Sequence, residues 1–213
     1  MTSQRRKHSK EFTRRQLLQT MFCSSAALAL NIHPRAIAAD EIARGDVHFL
    51  AVGDFGSGDV KQKEVATAMR RYVTQRKLKT AGLLLLGDNF YGRMEGGLEC
   101  TRWETCYEDM YPADIFPGPT WAILGNHDYH DNFEGEQVQL AYAKTKRTRW
   151  TMPHHWYRFD VPTQKPLVTF LCLDTNLPTV SGGFSLKLNG FLNSMDKTAE
   201  AEQLAWLKQE LAK

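Results

Sequence analysis

Asp54, Asp88 and Asn126 each stand one residue after a glycine that ends an apolar run: residues 47–52 before Gly53, 83–86 before Gly87 and 120–124 before Gly125. Tyr91 follows Asp88 by three positions, and His127 and Asp128 follow Asn126 directly. Carboxylate, phenol and amide oxygens are hard donors, suited to a trivalent or small divalent cation rather than to a thiolate-type site. The histidine and the second carboxylate add groups that bind metal or move protons. Taken singly, each residue has a plain structural reading. Gly-Asp-Asn makes a tight turn, Tyr91 packs in a core, Asn126 ends a strand, and His127 bonds Asp128 within a turn. Three apolar runs ending in glycine plus a donor side chain, in one chain, point to chemistry.

The elements that must position these groups follow from the pattern. Leu83, Leu84, Leu85 and Leu86 are too apolar for a strand with one wet face, so the sequence predicts a strand buried on both faces of a parallel sheet. In such sheets the ligand crevice lies at the carboxyl ends of the strands, where Asp54, Asp88 and Asn126 fall. Residues 60–79 read as a helix with Val65, Met69, Tyr72 and Val73 inward, which makes a right-handed βαβ unit between the first two strands. Gly53, Gly56 and Gly58 do not keep the GxGxxG spacing of a dinucleotide fold. Further on, residues 134–146 read as a surface helix with Val138, Leu140 and Tyr142 partly buried. Residues 156–161 and 167–173 form two strands across the turn at 162–166. Gly182-Gly183 and Asn189-Gly190 mark a mobile loop, and residues 198–213 form a last helix with Ala201, Leu204, Leu207 and Leu211 on one side. The expected class is α/β, with central sheets flanked by helices.

Composition is that of a globular domain, with 42% hydrophobic and 24% charged residues in 213. The net charge of +3 misleads, because seven of the 27 Lys/Arg and one of the 24 acidic residues lie in residues 1–39. The remainder carries 20 basic against 23 acidic residues, and no basic stripe that would suit nucleic acid. Residues 3–15 are basic, 17–32 moderately apolar, and Ala36-Ile37-Ala38 offers small residues at signal-peptidase spacing. Thr13-Arg14-Arg15-Gln16-Leu17-Leu18 resembles a twin-arginine signal, so residues 1–39 are expected to engage the twin-arginine (Tat) export machinery. Gln19, Thr20, Ser24 and Ser25 make the apolar part too polar and short for a stable membrane anchor, and the expected location is periplasmic or secreted. There Cys100 and Cys106 could close a short disulfide ring, while Cys172 reads as a buried small hydrophobe.

Gly53-Asp54-Phe55-Gly56, Gly87-Asp88-Asn89-Phe90-Tyr91 and Gly125-Asn126-His127-Asp128, in that order, resemble the first three blocks of the calcineurin-like metallophosphoesterases. Tyr91, three residues after the second Asp, narrows the resemblance to the purple acid phosphatases, of the small tartrate-resistant type. The resemblance runs on through Ala141-Tyr142-Ala143-Lys144, Trp156-Tyr157-Arg158-Phe159, Leu173-Asp174-Thr175 and Leu204-Ala205-Trp206-Leu207-Lys208. It implies hydrolysis of phosphate monoesters at a dinuclear metal centre, Fe(III) plus Fe, Zn or Mn, acting on a small phosphorylated substrate. In that pattern Asp54 and Tyr91 hold Fe(III), Asp88 bridges, Asn126 binds the second metal, and a metal-bound hydroxide attacks phosphorus. Ions about 3.5–4 Å apart stabilise both attacking and leaving oxygens. His127 resembles the residue that faces the substrate and helps protonate the leaving oxygen.

Other candidates read as structural. Asp128 is expected behind the ligands rather than among them, Asp59 as a helix cap and Asp174 as a solvated loop residue. His130, His154 and His155 match no ligand position of the family. The family's later Gly-His and Gly-His-x-His blocks have no counterpart here, so the domain at residues 45–213 is expected to be incomplete, the N-terminal part of an enzyme. Two alternatives stand beside the phosphatase: a non-catalytic fragment or binding module that keeps the fold, and a calcineurin-like phosphodiesterase.

Overall fold

The computed structural model describes residues 47–131, 134–145, 148–163, 166–176 and 197–213. The export signal, Cys23 and the glycine-marked loop near residue 183 lie outside them. Four strands, β1 His48–Val52, β2 Thr80–Leu86, β3 Thr120–Ile123 and β4 Trp150–Thr151, form one parallel sheet in sequence order. Two more, β5 Tyr157–Val161 and β6 Val168–Cys172, form an antiparallel hairpin. Helices α1 Val60–Arg76, α2 Asn126–His130, α3 Gly135–Tyr142 and α4 Lys197–Leu211 complete the described elements, with a 3₁₀ turn at Gly97–Glu99 and a wide π-type turn at Trp103–Glu108.

Because all four strands run the same way, β1, β2 and β3 end at one rim. Val52 pairs with Leu85, and Leu86 with Ile123, so Asp54, Asp88 and Asn126 leave neighbouring strands within about one residue of level. Residues side by side in a parallel register share a face. One face is dry: Leu83 and Leu85 lie against Thr120, Ala122 and Trp150, all fully or nearly fully buried. An aromatic layer from the 90–116 region seals it, with Phe90, Trp103 and Tyr107 all edge-on or tilted around Trp150. Arg149 fixes that layer from behind, donating to the carbonyls of Phe116 and Tyr111 and to Glu108.

The opposite face differs from expectation. Leu84 is half-buried and Leu86 is 54% exposed, so the leucine run is not covered on both sides among the described residues. What packs there is the β5–β6 hairpin, which stacks Phe159 on Trp121 at 4.1 Å and sets Phe170 against Phe49 at 5.0 Å. This cover reaches Phe49 and Trp121 at the entry side and stops short of Leu86. The Tyr157 hydroxyl sits within hydrogen-bonding distance of the Ala122 and Thr151 carbonyls and fixes the hairpin to the sheet.

Two helix faces are also corrected. In α1 the inward residues are Gln62, Ala66 and Val73, with Met69 partly buried, while Val65 and Tyr72 face out. Gln62 wins an inward place because its amide donates to the Cys106 carbonyl and accepts from the Gly58 N–H. Asp59 caps this helix as expected, accepting from the Gln62 N–H at 3.0 Å. In α4 most of the apolar stripe is exposed, Ala201 with Leu204 at 46% and Leu211 at 71%, while Leu207 is partly buried. The helix is held instead by polar groups. The Gln203 amide pairs with both backbone groups of Asp174, and Glu210 accepts from Arg158.

Cys100 and Cys106 are buried free thiols, so the disulfide is not formed; Cys106 belongs to the π-type turn and its Sγ faces Gly58. Asp174 is fully buried rather than solvated, bonded by the Tyr129 hydroxyl and by the Asn176 backbone and side-chain amides. Among the described residues no helix is long and apolar enough to cross a membrane.

Trp150→Ala removes the residue around which the aromatic layer is arranged and is expected to cost about 3–5 kcal/mol in urea unfolding. Leu204→Ser, on the outward side of α4, is expected to stay within about 0.5 kcal/mol of wild type. Equal losses in the two variants would show that the layer is not the core.

Candidate metal centre

The loops after β1 and β2 are stitched backbone to backbone. Asp54 N–H donates to the Gly87 carbonyl, Gly56 N–H to the Asp88 carbonyl, and Tyr91 N–H to the Gly56 carbonyl, all at 3.0–3.2 Å. Gly56 is required by this approach, since a Cβ there would sit 1.9 Å from the Asn89 carbonyl oxygen. Arg102 braces the same point by donating to the Gly56 carbonyl.

Asp54 and Asp88 both adopt left-handed backbone, φ 53° and 51°. For a residue with a Cβ such a conformation costs about 1–3 kcal/mol and gathers at functional sites. Here it turns both carboxylates toward Tyr91, whose hydroxyl lies 3.1 Å from Asp88 Oδ2 and 3.4 Å from Asp54 Oδ1. Burial, followed by the Asp88 and Asp54 charges, pushes the Tyr91 phenol well above its ordinary value. Asp88 is only 6% exposed; its other oxygen accepts the His127 N–H at 3.0 Å, and no lysine or arginine pairs with it among the described residues.

A buried carboxylate beside a second carboxylate, with a phenol as partner and no cation, is electrostatically unbalanced. A hard cation at the meeting point of Asp54 Oδ1, Asp88 Oδ2 and Tyr91 Oη restores the balance and reverses the pressure on the phenol, because a coordinating oxygen gives up its proton. The donor set therefore suits a hard cation. Among the described residues no group of three or more His, Cys, Asp and Glu converges, and the third oxygen meeting Asp54 and Asp88 is that of Tyr91. A cleft of ≈ 290 Å³ opens beside it, lined by Gly53, Asp54, Ser57, Lys61 and Tyr91 among others.

The third loop is placed differently. Gly125 lies against Asp88 so closely that a Cβ would meet its backbone nitrogen at 2.2 Å. Asn126, the next residue, is exposed; what brings it beside Asp88 is the backbone on either side, Gly125 packed on Asp88 and His127 bonded to it. The His127 ring stands 4.4 Å from the Tyr91 ring, and its Nδ1 is 3.0 Å from Asp131. The His127 ring thus meets the Asp131 carboxylate.

Asp128 has another task. It is 2% exposed and accepts from five N–H groups: Gly125, Asn89 and Phe90 of the backbone, the Asn89 side chain, and Gln139 of α3. Burial pushes its carboxyl up to about 6, against the pull of those donors. Asn89 further donates to the Ile123 carbonyl and to Gln139. Sequence reading missed Asp131, Asn89, Gln139 and the Asp174–Asn176 pair, whose amide reaches the Leu124 carbonyl. The one local signal was spacing, since His127 and Asp131 are four apart on a helix.

The calcineurin-like phosphoesterase family model matches residues 45–213. Tartrate-resistant acid phosphatase type 5 of Sus scrofa is 31% identical over 174 residues, covering 78% of this chain and 49% of that protein. The Homo sapiens protein of the same name is 31% identical over 178 residues, with 78% and 52% covered. Purple acid phosphatase 7 of Arabidopsis thaliana is 31% identical over 134 residues, with 62% and 38% covered. The chain spans about half the length of the tartrate-resistant relatives it matches. A solved structure titled "GAP50 the anchor in the inner membrane complex of Plasmodium" aligns with a TM-score of 0.46 and 24% identity, over 53% of this chain and 36% of that one.

Asp128→Ala strands the buried backbone N–H groups of Asn89 and Phe90 and the part-buried one of Gly125, each buried group worth about 1–3 kcal/mol, and is expected to destabilise the protein by at least about 3 kcal/mol. Gly56→Ala is expected to separate the first two loops and lower metal retention while leaving far-UV circular dichroism near wild type. Urea unfolding and metal analysis after gel filtration check both, and wild-type metal content in Gly56→Ala would contradict the close-approach argument.

Proposed function

The chain belongs to the calcineurin-like phosphoesterase family, and from that premise we propose that it hydrolyses phosphate monoesters of small molecules in the manner of a purple acid phosphatase. The observation that carries this reading is the Tyr91 hydroxyl lying within 3.4 Å of an oxygen of both Asp54 and Asp88 at the strand-end rim. Asp54 and Tyr91 would hold the first ion of a dinuclear centre, Fe(III), with Asp88 shared and Asn126 turned to the second, Fe, Zn or Mn. Bound there, the ions would supply an activated water and neutralise charge on the phosphate oxygens. The chain's own groups do the rest. Left-handed backbone at Asp54 and Asp88 pre-pays the orientation of two ligands, and the His127 N–H fixes the second oxygen of Asp88. The His127 imidazole, 36% exposed, is open to a bound ester and gives a proton to its leaving oxygen.

One observation favours a second reading, a metal-binding module with little turnover: for the second ion the described residues offer only Asp88 and the exposed Asn126. The proposal extends to export, supported by Arg14-Arg15 ahead of the apolar stretch and by the small residues at 36–38.

The purified chain, supplied with iron, is expected to hold less than two metal equivalents, to show a visible phenolate-to-iron absorption, and to turn over an aryl phosphate weakly at acid pH. Tyr91→Phe is expected to abolish the absorption and to weaken iron retention roughly 10- to 100-fold. An absorption that survives Tyr91→Phe, or iron that never binds, would refute the assignment. Separately, Arg14→Lys combined with Arg15→Lys is expected to stop export of a folded reporter fused after residue 39, which cell fractionation measures.

A further inference from the structure

Of the 20 basic residues past position 39, seven fall within positions 61–79: Lys61, Lys63, Arg70, Arg71, Arg76, Lys77 and Lys79, against the single acid Glu64. Outside that segment the chain past position 39 carries 13 basic and 22 acidic residues. Charge that is diluted along the sequence is thus gathered by folding onto α1 and the residues that end it. Six of the seven are exposed; Arg70 is half-buried and donates to the Asp109 carbonyl and to Thr67. None of the seven forms an ion pair among the described residues.

Helix stability does not account for the pattern. Lys61 and Lys63 stand at the start of α1, where the free N–H groups disfavour cations, and the first turn holds no acidic residue. Only Arg76 and Lys77 sit at the end that a cation favours. The apolar residues depart from rule as well. Lys61, Val65, Ala68, Tyr72 and Arg76 follow one another at spacings of three or four and are all exposed, Val65 at 47% and Tyr72 at 50%. This stripe is apolar at its centre and cationic at both ends, with the Arg76 guanidinium 5.6 Å from the Tyr72 ring centre. Arg71 and Val60, the latter 70% exposed, border it.

An acidic peptide or a nucleic acid calls for cations throughout, whereas a layer of anionic headgroups over acyl chains takes cations and apolar side chains together. We propose that the outer side of α1 is a peripheral docking surface for a bilayer rich in anionic phospholipid. Lys and Arg meet the headgroup phosphates, while Val65 and Tyr72 enter the boundary beneath them. Because α1 leads from the carboxyl end of β1 back to the start of β2, a bilayer lying along it has the strand-end rim at its margin and not beneath it. The surface is independent of the phosphatase reading and of any metal. Such attachment is reversible and governed by salt, since exposed charges are screened beyond about 10 Å at 0.1 M.

The test uses the full chain with Arg5, Arg6, Lys7, Lys10, Arg14 and Arg15 each changed to Gln, so that the basic N-terminal residues add no attraction of their own. Co-sedimentation with vesicles of phosphatidylcholine alone, or with about one-third phosphatidylglycerol, measures binding. The chain is expected to bind the anionic vesicles, to leave the neutral ones unbound, and to be released as NaCl rises from about 0.05 M to about 0.5 M. Lys63→Glu with Arg71→Glu and Arg76→Glu is expected to weaken binding at least about 100-fold with unchanged far-UV circular dichroism. Lys63→Gln with Arg71→Gln and Arg76→Gln, a milder set that keeps the test open should the Glu set misfold, is expected to weaken it about 10- to 100-fold. Val65→Ser with Tyr72→Ser is expected to weaken it roughly 10-fold and to keep the salt dependence. Lys144→Glu with Lys187→Glu and Lys208→Glu shifts net charge equally outside α1 and is expected to stay within about threefold of the parent. Equal binding to neutral vesicles, a loss in this last set as large as in the α1 sets, or anionic vesicles left unbound whether or not the chain binds poly-glutamate or DNA, overturns the proposal.

Discussion

A carboxylate taken out of water must be met by donors from somewhere, and Asp128 is met from three directions at once. The Gly125 N–H comes from its own loop, the Asn89 and Phe90 groups from the loop after β2, and the Gln139 amide from α3. Removing any donor leaves charge in a dry place, which costs more than the bond itself contributes. The loops are therefore locked together by the penalty for letting go. Every feature of the rim depends on that lock, since Asp88 and Tyr91 flank Asn89 and Phe90, and Asn126 and His127 lie between Gly125 and Asp128.

Close approach is the second constraint, and it explains where the glycines fall. Three loops can bring their side chains to one point only if their backbones nearly touch, as Gly56 does at Asn89 and Gly125 does at Asp88. The left-handed conformations of Asp54 and Asp88 belong to the same bargain. Strain at Asp54 and Asp88 is sustained by hydrogen bonds made elsewhere in the loops, such as Asp54 N–H to the Gly87 carbonyl. The result is a rim where two carboxylates are turned to one phenol, an arrangement whose charge suits a cation.

The layers behind the rim divide the labour. The dry face of the sheet, closed by Trp150, Trp103, Tyr107 and Phe90, supplies the rigidity. The hairpin covers the other face with stacked aromatics but leaves Leu86 in contact with solvent, and α4 leaves Leu204 and Leu211 exposed while gripping Asp174 through Gln203. Asp174 passes that grip on through Asn176 to the Leu124 carbonyl, immediately before the third loop. A helix far along the chain thus helps to hold Gly125 in place.

The sequence by itself determined the parallel strands, their order of use and the residues at their ends. Leu83–Leu86, the glycine breaks and the type of the residue after each glycine are local facts, and local facts survive folding. Asp54, Asp88 and Tyr91 were legible as a hard-donor cluster for that reason, as were α1 with its Asp59 cap and the β5–β6 hairpin. What only the tertiary structure decided were the partners of buried polar groups. Asp128 against Asn89, Gln62 against Cys106 and Asp174 against Tyr129 are pairings between residues dozens of positions apart, and a polar residue's own neighbours in sequence do not reveal whether it will be buried. The inward faces of α1 and α4 escaped for the same reason. Apolar periodicity marks a face only when hydrophobic burial decides it, and here Gln62 and Gln203 were drawn inward by backbone groups that needed satisfying.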